Sequence, residues 1–207
     1  MQASSLDHLV VVAATLAAGA RHVEQRLGVE LQPGGKHPRM GTHNLLLRLG
    51  DSYLEVIAPD PDAQAPTRPR WFGLDDLDPL AAPYLAHWVA RTPGLAGADE
   101  SLTRAFGAIE SMSRGSLSWR ISIQRDGRLP LGGTLPSLID WGDTRPPAQG
   151  LTDRGCQLQR LALSHPDPAS IAQQLEAIGF SGPVTVMAGE RPGLLAYVET
   201  PTGLKTL

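Results

Sequence analysis

The sequence contains a single cysteine, Cys156, among its 207 residues. One cysteine cannot form an internal disulfide, and it excludes a cysteine-rich zinc site. The residues around it include no obvious base, whereas a reactive thiolate needs cationic neighbours that lower its pKa. We therefore expect an inert thiol and a cytoplasmic location.

Long apolar runs and an excess of one charge are also missing. No stretch approaches the ~18 uninterrupted apolar residues of a membrane span, so we expect a soluble protein without a membrane partner. The net charge of −3 gives no general affinity for polyanions and argues against a nucleic-acid partner. The apolar N-terminus lacks a basic leader and carries Asp7 and His8, so we expect a strand and a helix there rather than a signal peptide.

What the sequence does contain is a globular composition, with 42% hydrophobic and 19% charged residues, and a repeated pattern. Residues 6–13 are a β-branched run of strand length. Thr15 is a candidate helix N-cap, apolar residues then recur with helical spacing as far as Leu27, and Gly28 suits the end of the helix. Three short β-like runs follow, which gives the order βαβββ.

The pattern recurs at an offset of 79 residues. His87 then aligns with His8, and Gly107 aligns with Gly28, without a gap. This alignment predicts a second βαβββ unit. A looser third copy follows, in which Asp167 suits a helix N-cap and the chain ends before a complete unit.

A segment rich in proline and aspartate, residues 61–84, separates the first two units. It predicts a long irregular connection. Trp71 and Phe72 within it have two interpretations. They form a lid over a neighbouring cleft, or they pin the loop to the outside of the fold.

The chain resembles a known family in several strings: "LDHLVV", "MGTHN", "YLEVIAPDP", "HWVART" and "LPSLIDWG". Together they resemble the glyoxalase-like domain family of the vicinal oxygen chelate superfamily, over essentially the whole chain. The resemblance implies an α+β fold in which tandem βαβββ modules form a cup-shaped, mostly antiparallel sheet, here with a partial third βαββ module. The expected parts are a first module at 1–60, a connecting loop at 61–84, a second module at 85–144, and the partial third module at 145–207 on the same domain.

The resemblance also implies a divalent metal held by the first and last strands of each module. Two histidines at one repeat position, His8 and His87, fit this arrangement. With Glu55 and Asp140 they form a two-histidine, two-carboxylate set suited to Mn, Fe, Ni, Co or Zn. Whether Asp140 or Ile139 faces inward depends on the strand register, and a metal-free pocket is the alternative.

The stretch "PGGKHPRMGTHN", residues 33–44, is a candidate site mouth. Alternation places Thr42 and Asn44 on one face of the following strand and His43 on the other, with His37 in the turn. The alternative is that these side chains only satisfy the hairpin's own polar groups. Predicted substrate contacts are His37, Thr42, His43, Asn44, Trp88 and Trp141, and the predicted catalytic residues are Glu55 and His43.

Two classes of function fit these residues. In the first, a metal-dependent lyase, isomerase or dioxygenase acts on a small oxygen-rich substrate through Lewis-acid stabilisation of an oxyanion. In the second, which resembles superfamily members that sequester antibiotics, a metal-free cup binds a small molecule without turnover. Homodimerisation is common in the superfamily and stays open for this chain.

Overall fold

The structure is a computed structural model that describes residues 3–207. It contains an eight-stranded sheet, built from two modules, and a separate four-stranded sheet. The first module comprises β1 (Ser5–Val12), α1 (Leu16–Leu27), β2 (Gln32–His37), β3 (Thr42–Leu49) and β4 (Ser52–Pro59). The second comprises β5 (Tyr84–Arg91), α2 (Glu100–Phe106), β6 (Ala108–Arg114), β7 (Leu117–Ile123) and β8 (Ser137–Asp140).

The large sheet has the strand order β2-β3-β4-β1-β5-β8-β7-β6. The two modules join where β1 and β5 pair antiparallel, and within each module the first and last strands pair in parallel. The sheet curls until its two edges approach each other, with Gly35 of β2 against the Arg114 side chain of β6. The predicted α+β fold, with tandem βαβββ modules in a cup-shaped sheet, is confirmed.

Helix α1 begins and ends as the sequence predicts. The Thr15 side chain accepts a hydrogen bond from the Ala18 backbone N–H, and Gly28 adopts the left-handed conformation at φ 71°. Helix α2 starts later than the repeat predicts. Its N-cap is Asp99, because a short 3₁₀ turn precedes it.

The third unit comprises β9 (Gln157–His165), α3 (Pro168–Ala177), β10 (Val184–Ala188), β11 (Gly193–Thr200) and β12 (Gly203–Thr206). Asp167 caps α3, as predicted, by accepting from the Ser170 backbone N–H. The strand order β10-β9-β11-β12 differs from that of the two modules, because β10 pairs in parallel with β9. The unit is therefore a distinct small sheet rather than a third copy of the repeat.

The two faces of the large sheet have different coverings. On the convex face, Leu9 and Val11 of β1 belong to one buried cluster with Leu161 of β9 and Ile171 of α3. The third unit therefore covers the convex face and leaves the cup free. None of the helices within residues 3–207 has the length and hydrophobicity needed to span a bilayer.

On the concave face, the connection after β4 enters the cup. Its 3₁₀ segment Trp71–Asp76 buries Trp71, Phe72 and Leu74 in a cluster with Val10 of β1. The expectation that these aromatics pin the loop to the outside of the fold is therefore wrong. They pack against the apolar side chains of the concave face.

Candidate functional site

A pocket opens on the concave side of the large sheet. Its cavity volume is about 30 Å³, and its mouth is open to solvent. One wall is polar and is formed by His8, His37, Asn44, Tyr53, Glu55 and Arg114. The other wall is apolar and consists of Leu46, Trp71, Phe72, Trp119, Ile121, Ile139, Trp141 and Pro147. Within residues 157–206, which form the third unit, no residue lines this pocket.

A bulge in β1 creates the centre of the polar wall. Opposite β5, Leu6 pairs with Ala90 and His8 pairs with Val89, so Asp7 is an extra residue in β1. A bulge interrupts the alternation of side chains and re-aims them. Asp7 and His8 are thereby brought together, with Asp7 Oδ1 lying 2.8 Å from His8 Nδ1.

Asp7 is fully buried and accepts hydrogen bonds from two groups of the second module. Arg91 Nε donates to Oδ2 over 2.9 Å, and Trp141 Nε1 donates to the same oxygen over 3.0 Å. Burial opposes ionisation of Asp7, but the hydrogen bond and charge of His8, with the charge of Arg91, outweigh it and lower the pKa of this carboxyl. Asp7 is therefore ionised, and its carboxylate holds the His8 ring in position.

His8 lies between two carboxylates. Its Nε2 is 3.5 Å from Glu55 Oε2, and its ring stacks on Tyr53 at a centroid distance of 4.5 Å. Burial favours the neutral ring, but the hydrogen bond to Asp7 and the carboxylate of Glu55 outweigh it and raise the pKa of His8 to about 9. At neutral pH His8 is an imidazolium whose Nε2–H lies beyond ordinary hydrogen-bond range of Glu55.

Glu55 of β4 is the second charged group of the pocket. Asn44 Nδ2 donates to its Oε1 over 2.5 Å. Burial favours the neutral acid, but the charge and proximity of His8 outweigh it and lower the pKa of Glu55 to about 2. Buried ions each cost several kcal/mol, and the proximity of the opposite charges of His8 and Glu55 offsets part of this cost.

His37 and Arg114 complete the polar wall near its mouth. Arg114 Nη1 donates to His37 Nε2 over 3.2 Å, and the His37 Nδ1–H donates to Thr42 Oγ1 over 3.1 Å. Burial lowers the pKa of His37 to about 4, so the ring is neutral and can accept from Arg114. Thr42 thus contacts the site through His37.

The four predicted metal ligands do not converge. His87 is fully buried on the concave side, where its Nε2 accepts from the Ser137 backbone N–H over 3.0 Å and its Nδ1 lies 3.3 Å from the Gly133 carbonyl oxygen. Burial lowers the pKa of His87 to about 3. Both ring nitrogens are thus occupied by the protein, and Phe72 packs against the ring at a centroid distance of 5.4 Å.

Asp140 lies on the other side of β8. Its carboxylate accepts from the backbone N–H groups of Gly94 and Leu95, while Ile139 lines the pocket instead. Of the predicted set, only His8 and Glu55 come together. Within residues 3–207 no three His, Cys, Asp or Glu side chains are arranged to hold a metal ion, so the donor set does not fit the implied metal.

Two predicted substrate contacts also lie away from the pocket. Trp88 packs on the convex face, where its Nε1 donates to the Thr134 carbonyl oxygen and its ring meets Phe180. His43 lies on the face of β3 opposite to Asn44, with Nδ1 4.0 Å from Asp60 Oδ1. Strand alternation places both side chains there, because their neighbours His87 and Asn44 face the cup.

Sequence reasoning missed Asp7, Arg114 and Trp119 as parts of the site, whereas Trp71 was one of the two aromatic residues of the possible lid. Asp7 carried a usable signal, since a carboxylate inside an apolar strand needs a partner when it is buried. Arg114 carried none, because only the curl of the sheet brings the end of β6 to β2.

The architecture and the pocket can be compared with known proteins. The model of the glyoxalase-like domain family matches residues 6–179. The chain belongs to this family. No curated protein sequence is significantly similar to this glyoxalase-like protein.

Two solved structures are similar to this chain at low identity. A hypothetical protein from Staphylococcus aureus has a TM-score of 0.59 and 11% identity, covering 91% of this chain and 87% of its own. Methylmalonyl-CoA epimerase from Mycobacterium tuberculosis has a TM-score of 0.44 and 18% identity, covering 70% of this chain and 91% of its own. The first of these two likenesses concerns the fold alone.

Proposed function

We propose that this glyoxalase-like protein is a lyase or isomerase that moves a proton at a carbon next to a carbonyl group of a small, oxygen-rich substrate. The observation that carries the proposal is the buried ionised pair of His8 and Glu55 in the wall of the cup. Their nearest atoms, Nε2 and Oε2, are 3.5 Å apart, which leaves both available to a substrate.

His8 supplies the electrophile in this proposal. Its Nε2–H donates to the carbonyl oxygen, which becomes negative as the neighbouring C–H bond breaks. Asp7 holds the ring through Nδ1 and keeps it protonated. In this proposal the imidazolium of His8 takes the role that the family resemblance gives to a Lewis-acid metal. No step involves a metal, because the predicted metal ligands do not converge.

Glu55 is the base. Its carboxylate takes the proton as the C–H bond electrons move into the enolate, and it returns the proton to the same or a neighbouring carbon. As the Nε2–H proton of His8 shifts towards the oxyanion, the positive charge beside Glu55 falls, and the affinity of Glu55 for a proton rises. Asn44 orients the carboxylate through its amide.

Solvent exchange tests the proposal without knowledge of the net reaction. We would incubate the protein in D₂O with small 2-oxo acids and hydroxyketones and follow deuterium entry at the carbon next to the carbonyl by NMR. Wild type should catalyse exchange with at least one compound, and Glu55→Gln should lose it by more than about a hundredfold. Glu30→Gln, which changes an exposed carboxylate, is the matched control and should match wild type.

A second candidate is the small-molecule binding protein without turnover. The aromatic rings of Trp71, Phe72, Trp119 and Trp141 favour it, because they offer a large apolar wall to an organic ligand. Tight binding of such a ligand, with no exchange for any compound in the panel, would support this function and overturn the proton transfer.

We further propose that the protein acts in the cytoplasm and binds neither nucleic acid nor membrane. The buried thiol of Cys156 and the modest net charge support this. Fractionation of the native host cell tests the location.

A further inference from the structure

At the mouth of the pocket, Arg114 is a cation that has no anionic partner in the described part of the chain. Its Nη1 donates to two uncharged acceptors, His37 Nε2 at 3.2 Å and Asn44 Oδ1 at 3.4 Å. Arg39, Arg68, Arg70 and Arg91 around the same cup each contact a carboxylate. Within residues 3–207 no carboxylate lies within 4.0 Å of the Arg114 guanidinium, whose Nε and Nη2 donate to nothing there.

Trp71 presents a second donor that has no acceptor among residues 3–207. Its side chain lines the same pocket and is 4% exposed, and its Nε1–H has no hydrogen-bond partner in the described chain. Buried donors are almost always paired in folded proteins, so an unpaired one beside a pocket indicates an acceptor on a ligand.

The charges of the pocket specify the sign of that ligand. Asp7 is matched by His8 and Arg91, and Glu55 is matched by His8 on one oxygen and Asn44 on the other. Arg114 therefore leaves the mouth positive. A guanidinium with free N–H groups can bind a planar carboxylate through two parallel hydrogen bonds.

Asn44 fixes the separation of this anion site from the acid–base pair. Its Oδ1 faces Arg114 and its Nδ2 donates to Glu55. The side-chain amide of Asn44 therefore separates the guanidinium of Arg114 from the carboxylate of Glu55. An acid of three or four carbons is long enough to span this separation.

We propose that Arg114 and the Trp71 indole N–H bind the carboxylate of a small 2-oxo acid, whose keto oxygen then reaches His8 Nε2. This inference rests on the proposed proton transfer and names its substrate class. His37 and Asn44 are positioning residues that hold the guanidinium by accepting from Nη1.

Binding of pyruvate, measured by calorimetry and by quenching of tryptophan fluorescence, tests the inference. Pyruvate should bind at least about tenfold more tightly than methyl pyruvate, which lacks the charge. Arg114→Gln should weaken pyruvate binding by at least about tenfold, with Arg114→Lys in between, because lysine keeps the charge and loses the two parallel hydrogen bonds. Trp71→Phe, which keeps an aromatic ring but removes the indole N–H, should weaken binding about three- to tenfold.

Matched variants separate these effects from loss of folding. Arg120→Gln removes an exposed arginine from β7, and Trp88→Phe alters a tryptophan on the convex face; both should bind pyruvate like wild type. Equal binding of methyl pyruvate, tighter binding of inorganic phosphate, or unchanged binding by Arg114→Gln would overturn the inference.

The two proposals fail in distinguishable ways. Glu55→Gln should keep pyruvate binding and lose deuterium exchange, which separates the anion site from the base. Exchange of uncharged hydroxyketones without pyruvate binding would overturn the carboxylate site alone. Pyruvate binding without exchange of any compound would support the carboxylate site and overturn the proton transfer.

Discussion

His8 Nδ1 lies 2.8 Å from Oδ1 of Asp7, its neighbour in the same strand. Neighbours in a regular strand point to opposite faces of the sheet, so this contact depends on the bulge in β1. Asp7 is in turn held by Arg91 and Trp141 of the second module. The polar centre of the cup therefore needs both modules, although His8 and Glu55 come from the first.

The raised pKa of His8 should make the folded protein less stable at alkaline pH. Burial opposes the charge, but the contacts with Asp7 and Glu55 raise the pKa from 6.5 to about 9. The folded state thus binds the proton more tightly. This stabilisation is fully present below the pKa of His8 in the unfolded chain, and it is lost as the pH rises through the pKa of His8 in the folded protein. The free energy of unfolding should fall by up to roughly 3 kcal/mol over this range.

Urea unfolding between about pH 6 and pH 10 measures this loss. His8→Asn should remove the part of the decline that belongs to the imidazolium, while His22→Asn, on a partly exposed helix position, should keep it. Identical slopes for wild type and His8→Asn would contradict the prediction.

Sequence patterns predicted the elements because the physical signals are local. The aligned histidines identified β1 and β5, and Thr15 and Gly28 marked the ends of α1. In β4, alternation puts Tyr53 and Glu55 on one face, and both line the pocket.

The site itself was harder to predict, because side-chain direction depends on register. His87 and Trp88 are adjacent in β5, and alternation alone allows only one of them to face the cup. The same rule separates His43 from Asn44 and Asp140 from Ile139. Asp7 and His8 do not follow this rule, because of a bulge that the apolar run around them did not reveal.

The separation of His43 from Asn44 leads to a test of the site assignment. His43→Ala should leave pyruvate binding and deuterium exchange within about twofold of wild type, because surface substitutions away from a site have small effects. Asn44→Ala should lower exchange by more than about tenfold, since it frees the Glu55 carboxylate and removes an acceptor of Arg114. Equal losses of deuterium exchange in the two variants would indicate that His43 is part of the active site.

The position of His87 gives a prediction about divalent metals. Its nitrogens are engaged by Ser137 and Gly133, so it has no free electron pair for a metal. We expect that the amount of Mn, Fe, Ni, Co or Zn in protein purified without chelator or affinity nickel is the same in wild type and His87→Gln. Mass spectrometry of the metal content measures this, and Asp140→Asn should behave alike. Stoichiometric metal in wild type that is lost in His8→Ala, His87→Gln and Asp140→Asn would instead support the four-residue metal site predicted from the sequence.

Gly19 shows how closely α1 approaches the strand that carries Glu55. A Cβ at this position would lie 2.3 Å from Val56 Cγ1 and 3.0 Å from Ala13 Cβ, and Val56 follows Glu55 in β4. Gly19→Ala should therefore destabilise the fold by about 1–3 kcal/mol, although alanine favours a helix by about 1 kcal/mol. Gly97→Ala is the matched control, because nothing lies within 4 Å of its added Cβ. Urea unfolding compares the two. Relief of the clash must move α1 or Val56. Gly19→Ala should therefore also slow deuterium exchange at a temperature where the variant is still folded. Unchanged stability and exchange would mean that this helix has room to shift without disturbing the cup.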